Sequence, residues 1–105
     1  MSADSILRHV VLFAFRKDAA PSEVAAIVHD FARLPQEIPG IASYEWGTNV
    51  SPEGLDQGYT HCWIISFKNA ADRDAYLVHP AHKAFVGLLK PVLEEALVVD
   101  FVPQK

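Results

Sequence analysis

The chain has 105 residues, of which 50% are apolar and 21% are charged, a composition typical of one folded globular domain. Nine basic and thirteen acidic side chains give a formal net charge of −4, and the scattered basic residues exclude an obvious nucleic-acid-binding surface. The single cysteine excludes an internal disulfide. No apolar run approaches the roughly 20 residues that cross a bilayer, and no signal peptide is visible. We therefore predict one cytoplasmic domain over residues 1–105, with no membrane or nucleic-acid partner.

The first half of the chain alternates between strand and helix periodicity. Residues Leu7–Phe15 alternate as a β-strand whose two faces are both mostly apolar. Residues Pro21–Leu34 place apolar side chains at the i, i+3, i+4, i+7 spacing of a helix, which Pro35 is expected to end. Residues 41–49 are predicted to form a second strand, followed by a loop rich in proline, glycine and serine.

The second half contains a strand, a broken helix and a final strand. Residues Tyr59–Lys68 show the clearest alternation. A short helix is predicted over Ala70–Val78, and Pro80 separates it from a second helical piece because a residue before proline avoids the α region. Residues Leu97–Val102 are predicted to form the last strand. The order β-α-β-β-α-β predicts an α+β, ferredoxin-like fold with a four-stranded antiparallel sheet.

The strands are apolar on both faces, although the helical segments can cover only one face of such a sheet. The residues assigned to the uncovered face are Val10, Leu12, Cys62, Ile64, Val98 and Val102, opposite Phe13, Trp63 and Val99. An exposed apolar surface of this size is unusual for a monomer. We therefore expect a homodimer formed by sheet-to-sheet packing; the alternative is that the strand register is assigned wrongly.

Polar side chains on the apolar strand faces need hydrogen-bond partners. His9 and His61 lie on the first and third strands, which are neighbours in the predicted sheet. Tyr76 lies near the end of the short helix and His82 in the first turn of the next, so both can approach the space beneath the helices. These residues predict a partly buried pocket that could bind a small hydrophobic ligand.

Such a pocket suits proton abstraction next to a carbonyl group. Neutral imidazole accepts a proton near pH 7, and a phenol hydroxyl stabilises an oxygen that gains charge. Trp63 and Phe85 are assigned as apolar ligand-binding residues of the pocket. The alternative is that the histidines are structural, with His79 capping the last helix.

Metal and nucleophile sites have weaker support. The pattern His79-x-x-His82 contains no carboxylate, and no cysteine zinc pattern accompanies it, so we expect neither a metal nor a cofactor. Cys62 lies in a central predicted strand and is expected to be a buried, inert thiol.

Several segments together resemble a known family. They are His9–Phe13 with Phe15, Ile38–Ile41, Gly47 with Asn49, Gly58–His61, Tyr76 with His79–His82, and Asp100–Phe101. Over nearly the whole chain these segments resemble the stress-responsive A/B barrel (Dabb) family. The resemblance implies a ferredoxin-like protomer that forms a homodimeric α+β barrel.

The resemblance also implies a reaction and the residues that perform it. A cyclase of this family closes a linear polyketide by an intramolecular aldol condensation, without a cofactor. By resemblance, His82 would be the catalytic base, Tyr76 would hold the developing oxyanion, and His9 and His61 would be further pocket residues. Two other interpretations stay open: a non-catalytic stress-response or structural dimeric barrel, and a cofactor-independent monooxygenase on the same barrel.

Overall fold

The computed structural model describes residues 6–105, so the first five residues of the domain predicted over 1–105 lie outside the described residues. The elements are β1 (Leu7–Phe15), α1 (Pro21–Glu37), β2 (Ile41–Thr48), β3 (His61–Phe67), α2 (Ala70–Val78), α3 (Pro80–Leu89), a 3₁₀ turn (Lys90–Val92) and β4 (Leu93–Phe101). The sheet order is β2-β3-β1-β4, with all neighbours antiparallel. This arrangement confirms the predicted ferredoxin-like fold with its second helix in two pieces.

Helix α1 continues past the proline that was expected to end it. Pro35 lies inside the helix, which ends at Glu37. A proline removes one backbone hydrogen bond, but the turn that follows remains anchored because Leu34 and Ile38 are both 2% exposed. The Ile38 amide also donates to the Leu34 carbonyl at 2.8 Å. Burial of this last turn therefore outweighs the local signal to stop.

Two strands begin at positions other than those predicted. Strand β3 starts at His61 and not at Tyr59, because Gly58 adopts a positive φ of 88° and the Tyr59 amide closes a turn onto the Asp56 carbonyl. Strand β4 starts at Leu93, four residues earlier than expected. The strand lies at an exposed edge of the sheet, and its first half contains two glutamates. These charged residues interrupt the apolar pattern from which a strand is predicted.

The predicted faces of the last strand are wrong by one residue. Val98 pairs with Val11 and Val99 pairs with Val10, so Val98 lies on the helix side and Val99 on the uncovered side. Val102 lies beyond the end of the strand. Because side chains alternate with a period of two, a shift of one residue exchanges the two faces.

The helices cover one face of the sheet and leave the other open. The side chains of the covered core include Val11, Phe13, Phe31, Trp63, Ile65, Phe67, Tyr76 and Phe85. On the open face the apolar side chains are Val10, Leu12, Ile64, Leu97, Val99 and Phe101. Within residues 6–105 no helix combines the length and apolar character needed to cross a membrane.

Candidate active site

His9 lies at the centre of the sheet, buried beneath the helices. It is 4% exposed, and its Nδ1 atom lies 2.7 Å from Oδ1 of Asp100, its partner in the register between β1 and β4. An ionised carboxylate can only accept, so we assign Nδ1 as the donor in this hydrogen bond. In the neutral ring the lone pair is then on Nε2.

Arg73 holds the second oxygen of the same carboxylate. Its Nη1 atom donates to Oδ2 of Asp100 at 2.6 Å, and its Nε atom donates to Oδ1 of Asp74 at 2.8 Å. Burial raises the pKa of Asp100, but hydrogen bonds from Arg73 and His9 outweigh it and hold that pKa below its ordinary value. The carboxylate is therefore ionised at neutral pH and fixes the orientation of His9.

Tyr76 places a phenol between two imidazoles. Its ring centroid lies 5.7 Å from that of His9 and 4.6 Å from that of His82. The residue is 1% exposed, and no hydrogen bond to its hydroxyl occurs within the described part of the chain. Burial, followed by the nearby Tyr44 hydroxyl, raises the pKa of Tyr76 far above its ordinary value, so it stays protonated as a donor.

His82 is tied to the backbone at one nitrogen only. Its Nδ1 atom lies 3.2 Å from the carbonyl oxygen of Leu77, and a carbonyl can only accept. Burial lowers the pKa of His82 more than that hydrogen bond raises it, and the neighbouring His9 also lowers it. His82 is therefore neutral at pH 7, and the tautomer set by Leu77 leaves Nε2 free to accept a proton.

His79, by contrast, is structural. Its Nδ1 atom accepts a hydrogen bond from the backbone amide of Ala81 at 3.0 Å, which caps the N-terminus of α3. The predicted capping role is confirmed. The cap also fixes the break between α2 and α3, and this break brings the rings of Tyr76 and His82 into contact.

His61 lies apart from this cluster. It pairs with Phe13 whereas His9 pairs with Ile65, so the two histidines are four residues apart along β1, or about 13 Å. The Nδ1 atom of His61 lies 2.8 Å from the Thr60 hydroxyl, its ring is parallel to that of Trp46, and burial lowers its pKa. The structure therefore brings together His9, Tyr76 and His82, but places His61 at the other end of the sheet.

The two predicted apolar ligand-binding residues lie in the packed layer between these ends. Trp63 is fully buried, stacks on Phe31 with ring centroids 4.7 Å apart, and donates from Nε1 to the Tyr44 hydroxyl at 3.0 Å. Phe85 of α3 packs on the same Phe31 ring at 4.7 Å. Contact of Trp63 or Phe85 with a ligand remains a prediction.

Two residues of the cluster were not predicted from the sequence. Asp100 is the one acid in the apolar second half of β4, and only the register shows that it faces His9. Arg73 lies three residues before Tyr76 and hence on the same side of α2. A carboxylate within an apolar strand was the available signal, because a buried acid needs a cationic or hydrogen-bonded partner.

Two grooves reach the histidines from outside. One of about 350 Å³ borders His82 and is lined by Leu77, Lys83, Val86, Gly87 and Lys90. The other, of about 430 Å³, borders His61 and opens on the uncovered face of the sheet. Cys62 lines this second groove. It was expected to be buried but is only half-buried, because no helix covers that face of the sheet. This partial burial raises the pKa of the Cys62 thiol. Within residues 6–105 no three metal-ligating side chains are grouped.

Comparison with known proteins identifies similar chains of nearly the same length. The family model described as the stress responsive A/B barrel domain matches residues 7–103. The stress-response A/B barrel domain-containing protein HS1 of Arabidopsis thaliana is 32% identical over 97 residues, which cover 92% of this chain and 89% of that protein. Olivetolic acid cyclase of Cannabis sativa is 24% identical over 99 residues, covering 94% and 98%.

Among solved structures, one similar chain is described as a dimer. It is a dimeric ferredoxin-like protein of unknown function from Thermobifida fusca, 26% identical, with a TM-score of 0.78. The likeness covers 93% of this chain and 91% of that one.

Proposed function

Because the chain belongs to the stress-responsive A/B barrel (Dabb) family, we propose that it is a cofactor-free acid–base enzyme of the cyclase type. Its substrate is a small carbonyl compound, such as a linear polyketide. The observation that carries the proposal is the Tyr76 hydroxyl, which belongs to a buried ring between two imidazoles and has no hydrogen-bond partner within residues 6–105. No buried side-chain oxygen or nitrogen within residues 6–105 lacks a partner, so this hydroxyl is open to water, and the carbonyl oxygen of a substrate can replace that water as its acceptor.

The geometry supports a defined sequence of steps. His82 removes a proton through Nε2 from the carbon next to a carbonyl group, and the oxygen that becomes negative accepts a hydrogen bond from Tyr76. The enolate carbon then attacks a second carbonyl of the same molecule, so that a C–H bond breaks and a C–C bond forms. The proton held by His82 passes to the new alkoxide.

His9 supports this chemistry without taking the proton itself. Asp100 fixes its ring, and the edge of that ring packs against Tyr76 with an interplanar angle of 68°. The likeness to olivetolic acid cyclase over 94% of this chain supports a ring-closing reaction.

We further propose that two copies pair through the open faces of their sheets. That face is apolar along its central and β4 strands, and Val99 and Phe101 are 51% and 44% exposed in the isolated protomer. A second copy of the same surface would cover them. The similar protein from Thermobifida fusca is described as dimeric, which supports the pairing of two copies.

Hydrogen exchange at carbon tests the catalytic proposal whatever the final product is. A panel of aryl ketones and linear polyketide analogues is incubated in deuterated buffer, and loss of the proton next to the carbonyl is followed by NMR. We expect the wild type to accelerate exchange of at least one compound. Tyr76→Phe and His82→Ala should each lower that rate about 100-fold.

A matched control uses a histidine far from the cluster. The His29 side chain is 76% exposed on α1, so His29→Gln should exchange protons at the wild-type rate. If no compound of the panel exchanges or cyclises faster than in buffer, the enzyme proposal is wrong. The protein would then be a non-catalytic barrel, an alternative favoured by the capping role of His79 and the backbone bond of His82.

Sedimentation tests the assembly. We expect the wild type to sediment as two chains and Val99→Lys as one, because a charge would be buried between the sheets. Leu88→Lys is the control: Leu88 is 58% exposed, similar to Val99, but lies on α3, so this variant should remain a dimer. A wild type that sediments as one chain would refute the pairing.

A further inference from the structure

The groove beside His82 has a wall that carries two positive charges. Its lining on α3 and just beyond follows the spacing i, i+3, i+4, i+7, which places these side chains on one face. These residues are Lys83, Val86, Gly87 and Lys90. Leu77 near the end of α2 also lines the groove, as does His82, the proposed base. A molecule in this groove would therefore be adjacent to the proposed base.

The two lysines are not neutralised by the protein. No ion pair within residues 6–105 involves Lys83 or Lys90, although the chain has a formal net charge of −4. Arginines elsewhere in the fold do form such pairs, as Arg73 does with Asp74 and Asp100. Two unpaired ammonium groups beside one groove form a local positive field that favours an anion.

Gly87 gives the groove its depth. It lies in the interior of α3, where glycine destabilises a helix relative to alanine. A Cβ atom added there would meet no heavy atom within 4 Å, so packing does not require a glycine. The missing side chain leaves the groove open at this position.

We propose that this groove binds the anionic group, a carboxylate or a phosphate, of the molecule whose carbonyl reaches His82. The inference rests on the proposed function, since it names the substrate class of that site. Lysine ammonium groups bind carboxylates and phosphates as point charges. Leu77 and Val86 provide apolar contact for the carbon chain that joins the anion to the carbonyl. The substrate is therefore an organic anion and not a neutral ketone.

Binding by a matched pair of diketones tests this proposal. Benzoylpyruvate and benzoylacetone contain the same aryl diketone, but the first carries a carboxylate where the second carries a methyl group. Phenyl phosphate is the probe for a phosphate group. By calorimetry at low salt, we expect the wild type to bind benzoylpyruvate at least about tenfold more tightly than benzoylacetone. The variant Lys83→Gln with Lys90→Gln should reduce this preference to about twofold or less. Lys17→Gln, in the turn after β1 and outside the groove, should keep this preference.

Filling the groove provides a second variant that does not depend on charge. Gly87→Leu should weaken benzoylpyruvate binding about tenfold by occupying the open space. Gly87→Ala should weaken binding less than Gly87→Leu does and should melt at a higher temperature, which shows that α3 tolerates a side chain. Comparing the affinities of the wild type for phenyl phosphate and for benzoylpyruvate identifies whether the site prefers a phosphate or a carboxylate.

The outcomes separate this inference from the proposed function, because binding does not require turnover. Lysine-dependent binding without proton exchange would leave the inference standing and refute the enzyme. Proton exchange with an unchanged preference in the double lysine variant would refute the inference alone. The inference is also wrong if neither benzoylpyruvate nor phenyl phosphate binds the wild type.

Discussion

The two ends of the helix-covered sheet contain the same residue types in different surroundings. At one end, His9 is buried and hydrogen-bonded to a carboxylate that Arg73 also holds. At the other end, His61 is half-exposed, bonded to the hydroxyl of Thr60, and lies parallel to Trp46. Among residues 6–105, only the first end places an ionised partner and a buried phenol beside its histidine.

This difference shows that the chemistry of a histidine depends on its partners more than on its place in an apolar strand. Asp100 gives His9 one tautomer and one orientation, and Leu77 does the same for His82. Between them Tyr76 retains a hydroxyl that can be offered to a ligand. The Thr60 hydroxyl can donate or accept, so it does not fix the tautomer of His61.

Removing the polar partner at each end should show the difference most clearly. Asp100→Asn leaves Arg73 and His9 without their carboxylate, and we expect it to lower the free energy of unfolding by about 2 kcal/mol. Thr60→Val removes a neutral hydrogen bond at an exposed position and should lower it by less than about 1 kcal/mol. Urea denaturation of both variants gives these values. Equal losses would contradict the distinction between the two ends.

A smaller effect concerns pH, and here the two ends should behave alike. Burial lowers the pKa of both His82 and His61 in the folded protein, below about 6.5 in the unfolded chain. The unfolded chain then binds more protons just below pH 6.5, so the free energy of unfolding rises with pH through this window and levels off above it. Urea midpoints measured across the window should show the slope.

Single variants assign that slope to its sources. His82→Gln and His61→Gln should each reduce the slope, and the double variant should reduce it further. At lower pH Asp100 adds a separate loss of stability as it is protonated below its ordinary pKa. A midpoint that falls as pH rises through the histidine window would contradict the assigned direction.

The sequence predicts the fold well because alternation and helix spacing are local properties. It fails where a distant contact outweighs a local signal. Pro35 continues α1 since Leu34 and Ile38 are buried on either side of it. The two faces of β4 were predicted the wrong way round because its glutamates hide the start of the strand in the sequence. Without that start, nothing in the sequence sets the register of β4 against β1.

The candidate site was predicted in part for the same reason. The break at His79 brings Tyr76 and His82 together, and that break is visible in the sequence as a histidine before a proline. The positions of His61 and Asp100 depend on the registers of β3 and β4 against β1, which no short motif specifies. The hydrogen bonds that assign the tautomers require the folded structure.

The most direct test compares proton exchange at the two ends of the sheet. For the compound that the wild type exchanges fastest, Tyr76→Phe keeps the packed ring and should lower the rate about 100-fold. His61→Gln should lower it by less than about fivefold, which corresponds to roughly 1 kcal/mol of activation free energy. A Tyr76→Phe protein that exchanges protons at the wild-type rate, or a larger loss in His61→Gln, would contradict the placement of the chemistry at Tyr76 and His82.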